Sequence, residues 1–160
     1  MSFGNGQRTE SVLNSLIEGQ LQSAPATCGV KISEATIDGL GNATITASVK
    51  ADKAGTFDLG YAILADNQPS KGGTESIYND VVAAVSKNFV KMQDDTKVSL
   101  AAGEEFTKTF TVKVESFKGV SFSPDNYKVV VFAHSDAHGK KQVDNANACG
   151  FGESVDYILN

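Results

Sequence analysis

Apolar and polar residues alternate along most of the chain after Pro25, and this period of two predicts β-strands. The alternation is clearest over residues 105–115, where Phe106, Phe110, Val112 and Val114 form one row and Thr107, Thr109, Thr111 and Lys113 the other. Residues 42–51 alternate in the same way, and the turn-forming sequence D-G-L-G-N before them predicts a hairpin with residues 29–37.

The later segments extend the same pattern. Residues 56–65 have one apolar face, and residues 128–134 are apolar on both faces, which is typical of a central strand covered on each side. Residues 143–148 and 154–159 provide the last one or two strands. About seven short strands separated by turn signals predict an antiparallel β-sandwich of immunoglobulin type over residues 26–160.

The N-terminal part has a different pattern. Residues 1–8 show no apolar periodicity, and we expect a disordered tail there. A short amphipathic helix is predicted over residues 9–22 and a linker up to Pro25, because apolar residues recur at helical spacing after the capping residue Thr9. These apolar residues are Val12, Leu13, Leu16, Ile17 and Leu21.

The middle of the chain allows two interpretations. Ile77, Val81, Val85 and Phe89 stand four residues apart, the spacing of one helix face. We therefore expect a short helix over residues 75–86 and a strand over residues 87–93. The many β-branched residues leave a strand open as the alternative for the first segment.

Charge and cysteine content restrict the function. The formal charge is −5 and no Lys/Arg cluster is present, which argues against nucleic acid or an anionic membrane as partner. No apolar run is long enough to span a bilayer. The segment after Met1 lacks an export signal, so we expect a cytoplasmic chain or the mature part of an exported protein. A disulfide between Cys28 and Cys149 would favour export; two separate thiols are the alternative.

The most concentrated set of reactive side chains is H-S-D-A-H, which contains His134, Asp136 and His138. Because transition metals need several converging N, O or S ligands, these residues are a weak candidate metal site. A hairpin turn is favoured, since residues 136–139 begin with Asp and end with Gly, as in a type I turn. His134 would then end its strand and His138 would be exposed at the tip.

No motif for nucleophilic catalysis, phosphate binding or redox chemistry is present, so we expect no catalysis and no cofactor. Carbohydrate binding through an exposed tyrosine is an alternative, although the chain has no Trp. The segment F-K-G-V-S-F-S is the best candidate for an apolar patch that contacts a partner, through Phe117, Val120 and Phe122.

The sequence N-Y-K-V-V-V-F-A-H-S-D-A-H-G-K-K-Q-V resembles the final hairpin of outer-membrane-associated lipoproteins of Gram-negative anaerobes. In that family a thioredoxin-like domain precedes an immunoglobulin-like sandwich. Asp136, Gly139, Lys140 and Val143 match the hairpin, and K-N-F-V (residues 87–90) resembles a mid-domain strand. The resemblance covers residues 27–143 and transfers no functional residues.

The resemblance implies a location in the periplasm or at the cell surface and no established catalysis in this half of the protein. We therefore expect a non-catalytic module of an exported cell-envelope protein that contacts a protein, a glycan or another ligand. A metal-binding protein using His134, Asp136 and His138, and a carbohydrate-binding module, are the alternatives.

Overall fold

The computed structural model describes residues 25–69, 77–117, 119–137 and 142–158, together with Gly19. The predicted tail and, apart from Gly19, the predicted N-terminal helix lie outside these residues. The strands are β1 (Cys28–Ile37), β2 (Asn42–Ala51), β3 (Gly55–Ala65), β4 (Gln68–Pro69), β5 (Ile77–Tyr78), β6 (Val81–Val85), β7 (Val98–Leu100), β8 (Glu105–Lys113), β9 (Tyr127–Ser135) and β10 (Gln142–Gly150).

Two antiparallel sheets form the fold, as the alternation predicts. The first has the strand order β1-β2-β8 and the second the order β10-β9-β3-β6, with β7 also paired to β3. Strands β4 and β5 make a separate small ladder. The core lies between the sheets, and its largest fully buried side chains include Ile45 of β2 and Phe57 and Leu59 of β3. The structure therefore confirms the prediction of a mainly β, antiparallel sandwich.

The first hairpin follows the predicted boundaries closely. One carboxylate oxygen of Asp38 accepts hydrogen bonds from the backbone N–H groups of Leu40 and Asn42, both at 2.9 Å. The other accepts one from Asn42 Nδ2 at 2.7 Å. The side chain of Asn42, followed by its backbone N–H, holds the pKa of Asp38 below its usual 3.8. Gly41 adopts φ +85°, a conformation that favours glycine.

The helix predicted over residues 75–86 is wrong. Residues in this segment form β5 and β6 instead, and β6 pairs with the end of β3. The strand predicted over residues 87–93 is also wrong, because these residues form turns and bends. A spacing of four is a multiple of two, so residues four apart share a face of a strand as well as a face of a helix.

The segment between β6 and β7, residues 86–97, is named the covering loop. β6 and β7 pair with opposite ends of β3, and the loop between them packs on the outer face of the second sheet. Asn88 and Met92 are buried there, and Asn88 Nδ2 donates to the backbone carbonyl of Leu59 at 2.9 Å. Gly60 makes this approach possible, because a Cβ at that position would overlap the side chains of Asn88 and Phe132.

Strand β9 lies between β10 and β3, which confirms the predicted central strand. It continues to Ser135, one residue beyond the predicted end at His134. Its hairpin with β10 is antiparallel, as predicted, while residues 138–141 of the turn lie outside the described residues. Val155 forms only an isolated bridge with Ile32, in place of the strand predicted over residues 154–159.

Candidate functional site

The sandwich has two lateral sides, where the edge strands of its two sheets face each other. These two sides differ, and the difference defines the site. On one side, edge strands β1 and β10 lie next to each other and are joined by side chains. Asn145 Nδ2 donates to the Cys28 carbonyl at 2.8 Å, and Asn147 Nδ2 donates to the Val30 carbonyl at 3.1 Å. Asp144 Oδ2 also accepts from the backbone N–H and the hydroxyl of Thr27, both at 2.9 Å. We call this side the sealed edge.

The sealed edge explains why the candidate disulfide is not formed. Asn145 meets Cys28 and Asn147 meets Val30, so continuing this pairing places Cys149 opposite Ile32. At about 3.3 Å per residue, that is about 13 Å along the strand from Cys28. A disulfide requires Cα atoms within about 7 Å. Both cysteines are free, as the alternative interpretation expects.

The opposite side of the sandwich is open. Strand β8 of the first sheet and strand β6 of the second border a cleft of about 350 Å³. Its walls combine aromatic, hydroxyl, amide and basic side chains: Tyr61, Val85, Ser86, Lys87, Asn88, Thr96, Lys108, Thr109, Phe110 and Thr111. Clefts of this size lie at the lower end of the range that binds small ligands. We call it the β6–β8 cleft.

An aromatic pair lies in the β6–β8 cleft. The rings of Tyr61 and Phe110 meet edge to face, with centroids 5.0 Å apart and planes inclined by 63°. Tyr61 is 8 % exposed, and burial raises the pKa of its hydroxyl. These rings join the two sheets at their open side and offer an apolar surface to a flat or aliphatic group.

Lys108 occupies an unexpected position beside this pair. The inward row of β8 is Phe106, Lys108, Phe110 and Val112, so a lysine interrupts an otherwise apolar row. Its ammonium lies 5.0 Å from the Phe110 ring centroid, a cation–π contact. Lys108 is not among the residues predicted from the sequence, although its place in the apolar row was a readable signal.

Lys108 and Lys87 are the charged side chains of the cleft. Within the described part of the chain, no Asp or Glu side chain lines the cleft. The described ion pairs involve Lys31, Lys97 and Lys128, and neither cleft lysine. The cleft is therefore locally positive on a chain whose formal charge is −5.

Ser86, Asn88 and Thr96 of the covering loop form one polar wall of the cleft. Ser86 Oγ accepts a hydrogen bond from the Tyr61 backbone N–H at 2.9 Å and donates to Asn88 Oδ1. Thr96 Oγ1 is buried and has no hydrogen-bond partner among the described residues. Turn-to-strand hydrogen bonds thus fix this wall against β3, so the cleft is preformed.

The candidate metal residues have other roles in the structure. His134 is buried, and its Nε2 lies 2.9 Å from the carbonyl oxygen of Asn88 in the covering loop. A carbonyl only accepts hydrogen bonds, so Nε2 carries the proton. Asp136 Oδ1 accepts from the Thr56 backbone N–H at 3.1 Å. His138 lies outside the described residues, and the metal hypothesis stays untested.

Within the described residues, no group of three or more His, Cys, Asp or Glu side chains could hold a metal ion. His134 Nδ1 and Asp58 Oδ1 are both buried without a hydrogen-bond partner in this part of the chain. The two residues are opposite each other in the β3–β9 register. This arrangement places two buried polar atoms without a described partner under the covering loop.

The predicted apolar patch is less exposed than its sequence indicates. Phe117 and Phe122 are partly buried against the core, and Phe122 stacks on Tyr127 with ring centroids 4.8 Å apart. Val120 is also only partly exposed. More strongly exposed apolar side chains lie on β5, on β6 and in the covering loop, and Val85 among them lines the cleft: Ile77, Tyr78, Val82, Val85, Phe89 and Val90.

Comparison with known proteins supports the fold. No protein-family model and no curated protein matches the chain. HBP35 of Porphyromonas gingivalis matches 89 % of this chain with a TM-score of 0.62 and 18 % identity, and this chain spans 46 % of HBP35. A domain of the outer membrane lipoprotein Omp28 from the same organism matches 79 % of this chain and 89 % of its own, with a TM-score of 0.49 and 14 % identity.

The likeness to HBP35 is one of fold, because the identity is only 18 %. It agrees with the two-sheet architecture described above. In the described residues, no helix is both long enough and apolar enough to pass through a lipid bilayer.

Proposed function

We propose that this chain is a non-catalytic, immunoglobulin-like module of an exported, outer-membrane-associated cell-envelope protein, and that it contacts a protein or ligand through the β6–β8 cleft. The strand orders β1-β2-β8 and β10-β9-β3-β6 correspond to A-B-E and G-F-C-C′ in an immunoglobulin-type sandwich. The hairpin resemblance supports the envelope location, and the HBP35 likeness supports the fold.

The contact role is supported by the difference between the two lateral sides of the sandwich. Side-chain hydrogen bonds close the sealed edge, whereas the opposite side holds a preformed cleft with an aromatic pair and two lysines outside any described ion pair. Val85 of β6 lines the cleft and is 41 % exposed, and β6 and the covering loop carry further exposed apolar side chains, with Val82 51 % and Val90 86 % exposed. Exposed apolar groups beside converging polar groups are typical of contact surfaces.

Site-specific photo-crosslinking in the producing cells tests this proposal. A benzoylphenylalanine at Val85, a 41 % exposed residue that lines the cleft, is compared with one at Thr36, an exposed position on β1. We expect the protein in the envelope fraction and a discrete crosslinked product from the Val85 variant alone. Equal products from both variants, or none from either, would contradict the contact role. Recovery in the cytosolic fraction would contradict the envelope location independently.

A further inference from the structure

We infer that the β6–β8 cleft binds an extended acidic peptide segment, with its carboxylates near Lys108 and Lys87 and an apolar side chain against the Tyr61–Phe110 pair. The inference deepens the proposed function and rests on it. It depends on three features of the cleft: its local charge, the position of Lys108 and the free edge of β8.

The charge of the cleft selects the partner. Two lysines line it, no carboxylate does within the described residues, and neither lysine belongs to a described ion pair. A carboxylate that enters the cleft therefore meets ammonium groups without a competing intramolecular partner. A long polyanion would be repelled by the rest of a chain with formal charge −5. A short segment with one or two carboxylates interacts mainly with the local positive charge.

The position of Lys108 has two physical explanations. Lysine in the inward row of an edge strand loses packing that an apolar residue would provide, so it needs a compensating role. Inward-pointing charges also protect strand edges from pairing with another copy. The cation–π contact at 5.0 Å holds the ammonium in the cleft beside the aromatic pair, which favours a role in binding.

The free edge of β8 favours an extended peptide over a compact ligand. Among the described strands, β8 pairs in register only with β2, so alternate backbone N–H and C=O groups lack a strand partner on the cleft side. An extended segment can pair with such an edge while its alternate side chains enter pockets. A volume of about 350 Å³ accommodates a side chain and its flanking backbone.

The test is an amide-shift titration of the ¹⁵N-labelled chain with two matched peptides, Ac-Glu-Phe-Glu-NH₂ and Ac-Gln-Phe-Gln-NH₂. We expect the glutamate peptide to shift the amides of Tyr61, Ser86 and Phe110, and to bind at least about tenfold more tightly than the glutamine peptide. Raising the salt concentration should weaken the binding, since the cleft lysines are accessible to solvent ions.

Variants of the chain supply the second half of the test. Lys108→Met should reduce the difference between the two peptides, because Lys87 is then the one lysine left in the described cleft lining. Lys53→Met changes the same charge at an exposed position outside the cleft lining, where the Lys53 backbone N–H donates to Thr27 of the sealed edge, and should preserve the difference. Amide spectra of both variants, recorded without peptide, show whether each remains folded.

The outcomes separate this inference from the proposed function. Equal cleft shifts from both peptides would overturn the acidic partner and leave the contact role standing. No cleft shift from either peptide would overturn the inference, while photo-crosslinking decides the contact role independently. If Lys108→Met self-associates and the peptides shift nothing in the unmodified chain, Lys108 only protects the edge and the inference is wrong.

Discussion

The sealed edge predicts that a single amide side chain makes a large contribution to stability. Asn147 is 8 % exposed and donates to the carbonyls of Val30 at 3.1 Å and Asp156 at 3.0 Å. Its Oδ1 accepts from the Ala148 backbone N–H at 3.0 Å. Replacement by alanine removes all three hydrogen bonds and leaves two carbonyl groups without this donor.

The size of the effect follows from these contacts. Each hydrogen bond contributes about 1 kcal/mol net, and a buried group that loses its partner costs about 1–3 kcal/mol. We expect Asn147→Ala to lower the free energy of unfolding by about 2–4 kcal/mol. That is a large share of the roughly 5–15 kcal/mol typical of a domain. Asn145→Ala, which removes two hydrogen bonds at 2.8 Å, should cost about 1–2 kcal/mol.

Urea unfolding followed by far-ultraviolet circular dichroism measures these differences. The matched control is Asn79→Ala, which deletes an exposed amide that accepts one hydrogen bond, from Asn67 N–H. It should cost less than about 1 kcal/mol. An Asn147→Ala variant as stable as the Asn79→Ala variant would refute the argument that side chains close this edge.

Three further predictions concern other parts of the fold. Gly60→Ala should destabilise the protein by about 1–3 kcal/mol in urea unfolding, because the new methyl group overlaps side chains of the covering loop and β9. Gly39→Ala is the control, since a methyl group there meets nothing within 4 Å. Thiol titration should find two thiols in the unfolded, unreduced chain. In the folded chain Cys28 should react more slowly than Cys149, since Cys28 is only 2 % exposed and burial raises its pKa strongly. Asp38→Asn should destabilise the chain at pH 7, because a lowered carboxyl pKa stabilises the fold while the group is ionised. The difference in unfolding free energy between this variant and the unmodified chain should shrink as the pH falls below 3.8. A difference that grows in acid would contradict this.

The strands that the alternation pattern predicted are those with one face in the core. In β2 and β8 the apolar row faces the opposite sheet, so the period of two is visible in the sequence. For β6 the sequence favours a helix and keeps a strand as the alternative, because Val81 and Val85 continue a spacing of four that also fits a helix face.

His134 shows a second limit of the pattern. Its position at the end of a run of valines predicted only that it ends its strand, and the pattern gave no sign that the covering loop buries it. The loop comes from residues 86–97, which are far from His134 in sequence. Burial of the outer face of a sheet by a distant segment leaves no periodic signal.

The β6–β8 cleft was unpredictable for a related reason. It exists because two edge strands of different sheets, twenty residues apart in sequence at their nearest ends, lie on the same side of the sandwich. Lys108 in an apolar row was the one local signal. The sealed edge also has a local signal, the sequence N-A-N-A (residues 145–148) of β10. Its two asparagines are two residues apart, so their side chains lie on one face and reach alternate carbonyls of β1.

The most direct measurement is a set of intermolecular nuclear Overhauser effects between the ring protons of unlabelled Ac-Glu-Phe-Glu-NH₂ and the isotope-labelled chain. The cleft account predicts contacts to the rings of Tyr61 and Phe110. Contacts to Phe117 and Phe122 instead, or to Ile77 and Val82 alone, would place the contact surface elsewhere and contradict the account.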